Sequence, residues 1–429
     1  MRRTARHRVS RTRRGTLVTA SALALAGGSA FAQSGSAGSG VVGPTSNTEG
    51  PIAPALDAPA PAAHDGPVVQ LALLLDTSNS MDGLIDQARA ELWTVVNRLQ
   101  GLRHAAGDVR LHIALYQYGN DTLESADGFV QLRAPFTTDL DVISEQLFAL
   151  RTDGGNEYCG WAIGDAVAGL DWIAPGATDE ITPALRMIVI AGNEPFSQGS
   201  VAHSETIARA VDAGVRVHTV YCGPEHTGRS TLWEEGATMG DGFYFAIDQG
   251  QRVAFRTEYD DQIILHNNRL NTTYSNFTFG GQAASVRQLE MDAANEAVSV
   301  GQLAERAAAK ATSNYDNRTW DITDAFLAGE LEEEAIEQEA LPEDWQGLPF
   351  EVLTDKIQEN AEERERINKQ IRELYEAREA EVAKQRGELG IETLGTALSA
   401  AIIEQAREMG FRHTDDEKAG LGASAAGEE

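Results

Sequence analysis

The segment Asp76-Thr77-Ser78-Asn79-Ser80 sets one carboxylate and two hydroxyls at alternate positions. Three such oxygens turned toward a common point suit a hard cation, Mg²⁺, Mn²⁺ or Ca²⁺, and disfavour softer metals. Asp and Ser also cap helix N-termini and satisfy orphan amides there, so a capping turn is the alternative reading. The context argues for the cation loop. The preceding run Leu71-Ala72-Leu73-Leu74-Leu75 has the uniformity of a parallel strand buried on both faces, and ligands of open α/β sheets sit at strand carboxyl ends. Beyond the segment, Ile85, Ala88, Leu92, Val95 and Leu99 alternate at spacings of three and four, the single apolar face of a helix.

The elements that must hold this loop follow from the same periodicities. Strands are expected at 68–75, 110–118, 128–134, 185–191, 215–222 and 242–247, with helices at 138–151, 159–173, 200–213, 230–239 and 257–271. Most strands are therefore joined by crossover-length connections, which makes a doubly wound, mostly parallel six-stranded sheet. Only the second and third strands are linked by a short polar turn beginning Gly119-Asn120-Asp121, which predicts one antiparallel edge strand.

Residues 67–272 resemble a von Willebrand factor type A domain, the fold that carries the metal-ion-dependent adhesion site, and the most specific part of the match is Asp76-x-Ser78-x-Ser80. The resemblance implies that these three residues hold Mg²⁺ and that a partner's carboxylate completes the coordination. It also implies a threonine and an aspartate from two later loops, and here the chain departs. Gly154-Gly155-Asn156-Glu157 stands where the threonine is expected, and Ala191-Gly192-Asn193-Glu194-Pro195 replaces Thr-Asp-Gly. Glu157, Asn193 and Glu194 can offer oxygens instead, with Asp153 close by; each is also ordinary turn or helix-start chemistry.

The N-terminus reads as an export signal over residues 1–32. Seven arginines precede an apolar stretch from Leu17 to Ala26 and an Ala30-Phe31-Ala32 ending, which implies a periplasmic or secreted protein. No later apolar stretch is long enough to span a bilayer. Residues 33–66, rich in Gly, Ser, Ala and Pro, read as a disordered tether. The formal net charge of −30 becomes more negative once the arginines are removed, which argues against nucleic acid and anionic lipid as partners. Only two cysteines occur, Cys159 and Cys222; an oxidising compartment permits a disulfide between them, and two buried thiols are the alternative.

Beyond residue 272 helical patterning dominates up to 412, with a disordered tail over 413–429. Helices are expected at about 282–312 and 350–386. In the second, Leu353, Ile357, Ile367, Ile371 and Leu374 share a face that Asn360, Arg364 and Arg378 interrupt, so it is an imperfect coiled coil at most. Trp320 reads as an apolar anchor, 331–346 as a solvated glutamate cluster and 389–411 as a helix able to pack on the core.

No phosphate-cradling glycine loop and no His-Glu-x-x-His motif occurs, and no base is evident beside Ser78 or Ser80. The reading is a non-enzymatic binding protein that grips an unidentified protein partner through a cation and the partner's acidic side chain. The alternatives are a metal-free scaffold acting through its C-terminal helices and, behind both, a metal-dependent hydrolase.

Overall fold

All nine residues of β1, Val68–Asp76, are buried, as an apolar run covered on both faces requires. The computed structural model describes residues 66–174, 184–248, 250, 255–277, 281–331, 340–389 and 393–414. The export signal, almost all of the tether, half of the glutamate cluster (332–339) and the tail beyond residue 414 lie outside the described residues.

In chain order β1 is followed by α1 (Asp82–Leu99), β2 (Leu102–Arg103), β3 (Arg110–Tyr118), β4 (Val130–Thr137), α2 (Leu140–Ala149), α3 (Cys159–Gly169) and β5 (Ala184–Gly192). Then come α4 (His203–Asp212), β6 (Arg216–Cys222), α5 (Glu225–Ser230), α6 (Trp233–Met239), β7 (Tyr244–Ile247) and α7 (Asp260–Asn271). The C-terminal part supplies α8 (Gly281–Val298), α9 (Val300–Lys310), α10 (Ile322–Leu327), α11 (Phe350–Leu389), α12 (Leu394–Glu408) and β8 (Arg412–His413). The six-stranded sheet runs β4-β3-β1-β5-β6-β7. Every pairing in it is parallel except β3 with β4, the antiparallel edge that the short link predicts.

Side chains alternate across β1. Leu71, Leu73 and Leu75 join a core built with α1, α2 and α12, while Ala72 and Leu74 join the opposite core with α3 and α4. Two expected helices are broken. The stretch 230–239 is helical only from Trp233, as α6, because Leu232 adopts a left-handed backbone (φ 73°) that separates it from α5, which ends at Ser230. The stretch 282–312 divides at Ser299, whose extended backbone and side chain accept the Gln302 N–H and cap α9.

The expected disulfide is corrected. Cys159 opens α3 in the core on one face of the sheet, Cys222 ends β6 in the core on the other, and both are buried free thiols. The sheet itself separates them. Cys159 instead lies with its Sγ 3.8 Å from the Tyr118 hydroxyl.

The C-terminal helices are built into the same body. α12 packs Leu394, Ala397, Leu398, Ile402 and Ala406 into the core of the sheet's α1 face. The apolar stripe of α11 packs on α7, α9 and α10, and the two arginines that interrupt it are buried anchors. Arg364 pairs with Asp321 at 2.8 Å and with Asp324; Arg378 pairs with Asp260 at 2.7 Å and with Glu305. No helix among the described residues is long and apolar enough to cross a membrane.

Candidate functional site

Asp76 ends β1 between β3 and β5, where successive crossovers leave the sheet in opposite directions, the place where such sheets open a crevice. Its carboxyl is fully buried, and Oδ1 accepts the Ser78 N–H at 2.7 Å. That bond turns the chain out of the strand. A 3₁₀ turn, Asn79–Met81, then leads into α1, and neither start carries a side-chain cap. Ser78 is thus not used as a capping side chain; its Oγ lies 3.2 Å from the Ser80 Oγ.

The two later loops close over this turn. The Asn79 N–H donates to the Gly154 carbonyl and the Asp153 N–H to the Thr77 carbonyl, which fixes the Asp153–Glu157 loop against β1. From the other side, Asn193 exchanges hydrogen bonds with the Ser80 Oγ at 3.0 and 3.3 Å. Glu157 is buried; its N–H donates to Gln198 Oε1 at 2.6 Å, and its Oε2 accepts the Glu194 N–H at 3.3 Å. Asp76, Ser78, Ser80, Glu157 and Asn193 therefore converge. Glu194 joins through its backbone amide with its side chain exposed, and Asp153 likewise contributes backbone.

Two glycines make room. A Cβ at Gly119 (φ 81°) would sit 2.8 Å from both Asp76 Oδ1 and Glu157 Cγ, and one at Gly192 would meet the Tyr118 hydroxyl at 2.5 Å and Asp76 Oδ2 at 3.1 Å. Tyr118 is held there by donating to the Ala191 carbonyl at 3.0 Å. Asn120 Nδ2 donates to the Thr77 carbonyl at 3.4 Å and to the Arg151 carbonyl at 2.9 Å, and sequence patterning does not reveal Tyr118, Asn120 or Gln198 as supports. Tyr118 and Asn120 become visible once β3 is known to flank β1; Gln198 carries no signal in the sequence.

Burial, followed by the neighbouring Glu157 carboxyl, pushes Asp76 well above the usual carboxylate range, and burial raises Glu157 as well. Two ionised acids facing each other out of water repel, and a cation between them would relieve that cost. Asp76 Oδ2 has no hydrogen-bond donor. A buried acceptor left in this way is costly, and a cation would satisfy it. The donors are all oxygen: two carboxylates, two hydroxyls and a carboxamide, which fits a hard divalent ion. Among the described residues no group of three or more His, Cys, Asp or Glu is arranged for a metal, so the serine hydroxyls would have to serve as ligands.

Residues 70–253 match the family model of the von Willebrand factor type A domain, and the chain carries a domain of that class. No curated protein matches the chain. Among solved structures it is similar to BatB from Bacteroides thetaiotaomicron, at 15% identity over 42% of this chain and 90% of that one, with a TM-score of 0.31. It is also similar to the pilus adhesin SpaC from Lactobacillus rhamnosus GG (13% identity, 43% of this chain, 28% of that one, TM-score 0.32). The vWF domain of the type V pili tip protein Mfa5 from Porphyromonas gingivalis shows 14% identity over 43% of this chain and 90% of that one, with a TM-score of 0.30.

Proposed function

We propose that this chain is an exported, non-enzymatic binding protein that captures a protein partner through a divalent cation at the end of β1. Asp76, Ser78, Ser80 and Glu157 would hold the ion, with Asn193 orienting Ser80 and Gln198 pinning the Glu157 loop. When bound, the ion offers an open coordination position to an acidic side chain of the partner. The observation that carries this reading is Asp76 Oδ2, fully buried beside a second carboxyl and without a donor.

The test begins with the protein alone. Mg²⁺ or Mn²⁺ is expected to stabilise the wild-type chain against unfolding, read as a higher melting temperature, by about 2.7 kcal/mol at a hundredfold excess over the dissociation constant. Asp76→Asn should respond in the opposite sense: more stable than wild type without metal, because the acid pair is relieved, and indifferent to added metal. In pull-downs from an envelope fraction, EDTA and Asp76→Asn should both abolish capture. No cation response together with unchanged capture rejects the mechanism.

A metal-free scaffold is the second reading, favoured by the amide of Asn193 where the family places a carboxylate. Capture that survives EDTA but is lost on charge reversal along the exposed face of α11 would decide for it.

A further inference from the structure

The sheet ends differently at its two edges. β4 carries Pro135 and the inward-pointing, buried Arg133, and its pairing with β3 slips register between Ile113 and Tyr116. These are devices by which an edge refuses another strand. β7 has none of them: its sequence Tyr-Phe-Ala-Ile holds no proline and no charge, its register to β6 is unbroken, and among the described residues nothing pairs with its outer side.

The direction of the free groups follows from the ladder. The Phe243 carbonyl accepts the Thr219 N–H and the Phe243 N–H donates to His218 Nδ1, so Phe243, Phe245 and Ile247 turn their backbone toward β6. By alternation Tyr244 and Ala246 turn theirs outward. Against that edge lies a cavity of about 540 Å³, bounded by Glu225, Arg229 and Glu234 of α5 and α6 and by Asp248. Arg229 is already held by Glu225 at 2.7 Å and Glu234 at 3.5 Å, so among the described residues lining the cavity carboxylates outnumber the one cation.

We propose that β7 is a docking edge for an extended segment of a partner protein, added to the sheet as a further strand, with basic residues alternating with apolar ones. A second copy of this chain fits worse. Pairing β7 with β7 would bring the acidic rims of two copies together, whereas a basic segment meets opposite charge. Backbone bonds at Tyr244 and Ala246 set the register, and side chains entering the acidic cavity select the segment. The site is separate from Asp76 and does not depend on a cation.

Fluorescence anisotropy with a labelled peptide of alternating Lys and Val, and with its Glu/Val counterpart, tests the proposal on the full chain. The Lys/Val peptide should bind saturably and the Glu/Val peptide should not. Ala246→Pro removes the outward N–H and leaves the β6 ladder, and is expected to weaken binding roughly tenfold or more. Glu225→Gln with Glu234→Gln leaves the edge backbone intact and should also weaken it, while Asp76→Asn should bind as wild type does. Absence of saturable binding overturns the proposal. Equal binding by wild type and Ala246→Pro overturns it too, since only general attraction to an acidic protein would then remain. A wild-type dimer that Ala246→Pro dissociates would reassign the edge to a second copy and overturn the proposed occupant.

Discussion

Arg306 has no exposed surface, yet it is a permanent cation. It is tolerated because Asp141 and Asp292 face it, at 2.5 and 2.6 Å, and because Trp93 lies under the guanidinium at 4.8 Å. Burial alone would raise Asp292, but Lys310 and Arg306 outweigh it and hold the acid below its usual range. Tyr315 completes the cluster by donating to Asp141 at 2.7 Å. Such a network contributes little net stability compared with apolar packing, but removing one member strands the others. Arg306→Met should therefore cost about 3–5 kcal/mol in urea unfolding. A loss within about 0.5 kcal/mol, typical of a surface substitution, would mean that the acids are satisfied without it. The contrast with Asp76 and Glu157 is instructive, because among the described residues no arginine or lysine shares a hydrogen bond with that acid pair, which is left open to an external cation.

At the scale of elements, His218 is the clip between β6, the start of β7 and α12. Its Nδ1 accepts the Phe243 N–H at 3.0 Å, and its Nε2 lies 2.7 Å from Gln405 Oε1. That pattern fixes the neutral tautomer with the proton on Nε2. Burial pushes the imidazole down to about 4. The unfolded chain takes up the proton near the ordinary value of about 6.5, so between these limits it binds more protons than the native state. The clip's contribution is complete above the unfolded value and is lost as pH falls from about 6.5 toward about 4. Wild type should lose on the order of 3 kcal/mol more than His218→Gln between pH 7 and pH 4. Using the difference between the two proteins cancels other groups, including Asp139 and Asp324, whose upward shifts by burial to about 6 act in the opposite sense. Parallel stability curves for the two proteins would refute the assignment.

At the scale of the whole molecule, the A-type domain and the helices after it share one interior. Leu71, Leu73 and Leu75 of β1 belong to the same core as Leu394, Leu398 and Ile402 of α12. Trp93 Nε1 donates to Asn295 of α8 at 2.8 Å, so a tryptophan of the first helix is fastened to the C-terminal region by a buried hydrogen bond. A shared core makes unfolding cooperative. Urea transitions followed by tryptophan fluorescence and by far-ultraviolet circular dichroism should coincide in a single step. Two separated transitions would show that the helical region unfolds by itself. It follows that truncation before α8 is a poor probe of binding, because it would open the core under β1.

Much of this architecture was legible in the chain. The strand at β1 announces itself by five consecutive apolar residues, the antiparallel edge by the brevity of the link after Gly119, and the core face of α1 by Ile85, Ala88, Leu92, Val95 and Leu99. The breaks at Leu232 and Ser299 were not legible, since a left-handed leucine violates local preference and is held by its surroundings. Nor was the separation of Cys159 from Cys222: one opens α3 and the other ends β6, and residue spacing says nothing about which face each thiol enters. Arg364 and Arg378 looked like flaws in an apolar stripe because their acids lie on other helices, far away along the chain.

By itself the sequence determined the periodic elements, the parallel sheet and the oxygen-bearing turn at Asp76, because these depend on neighbours a few residues apart. Tertiary structure decided that Glu157 faces Asp76, that Asn193 rather than Glu194 reaches Ser80, that α12 covers the sheet, and that no described residue pairs with the outer side of β7. Such contacts join residues distant in the chain, and only the packed body fixes their distance and orientation.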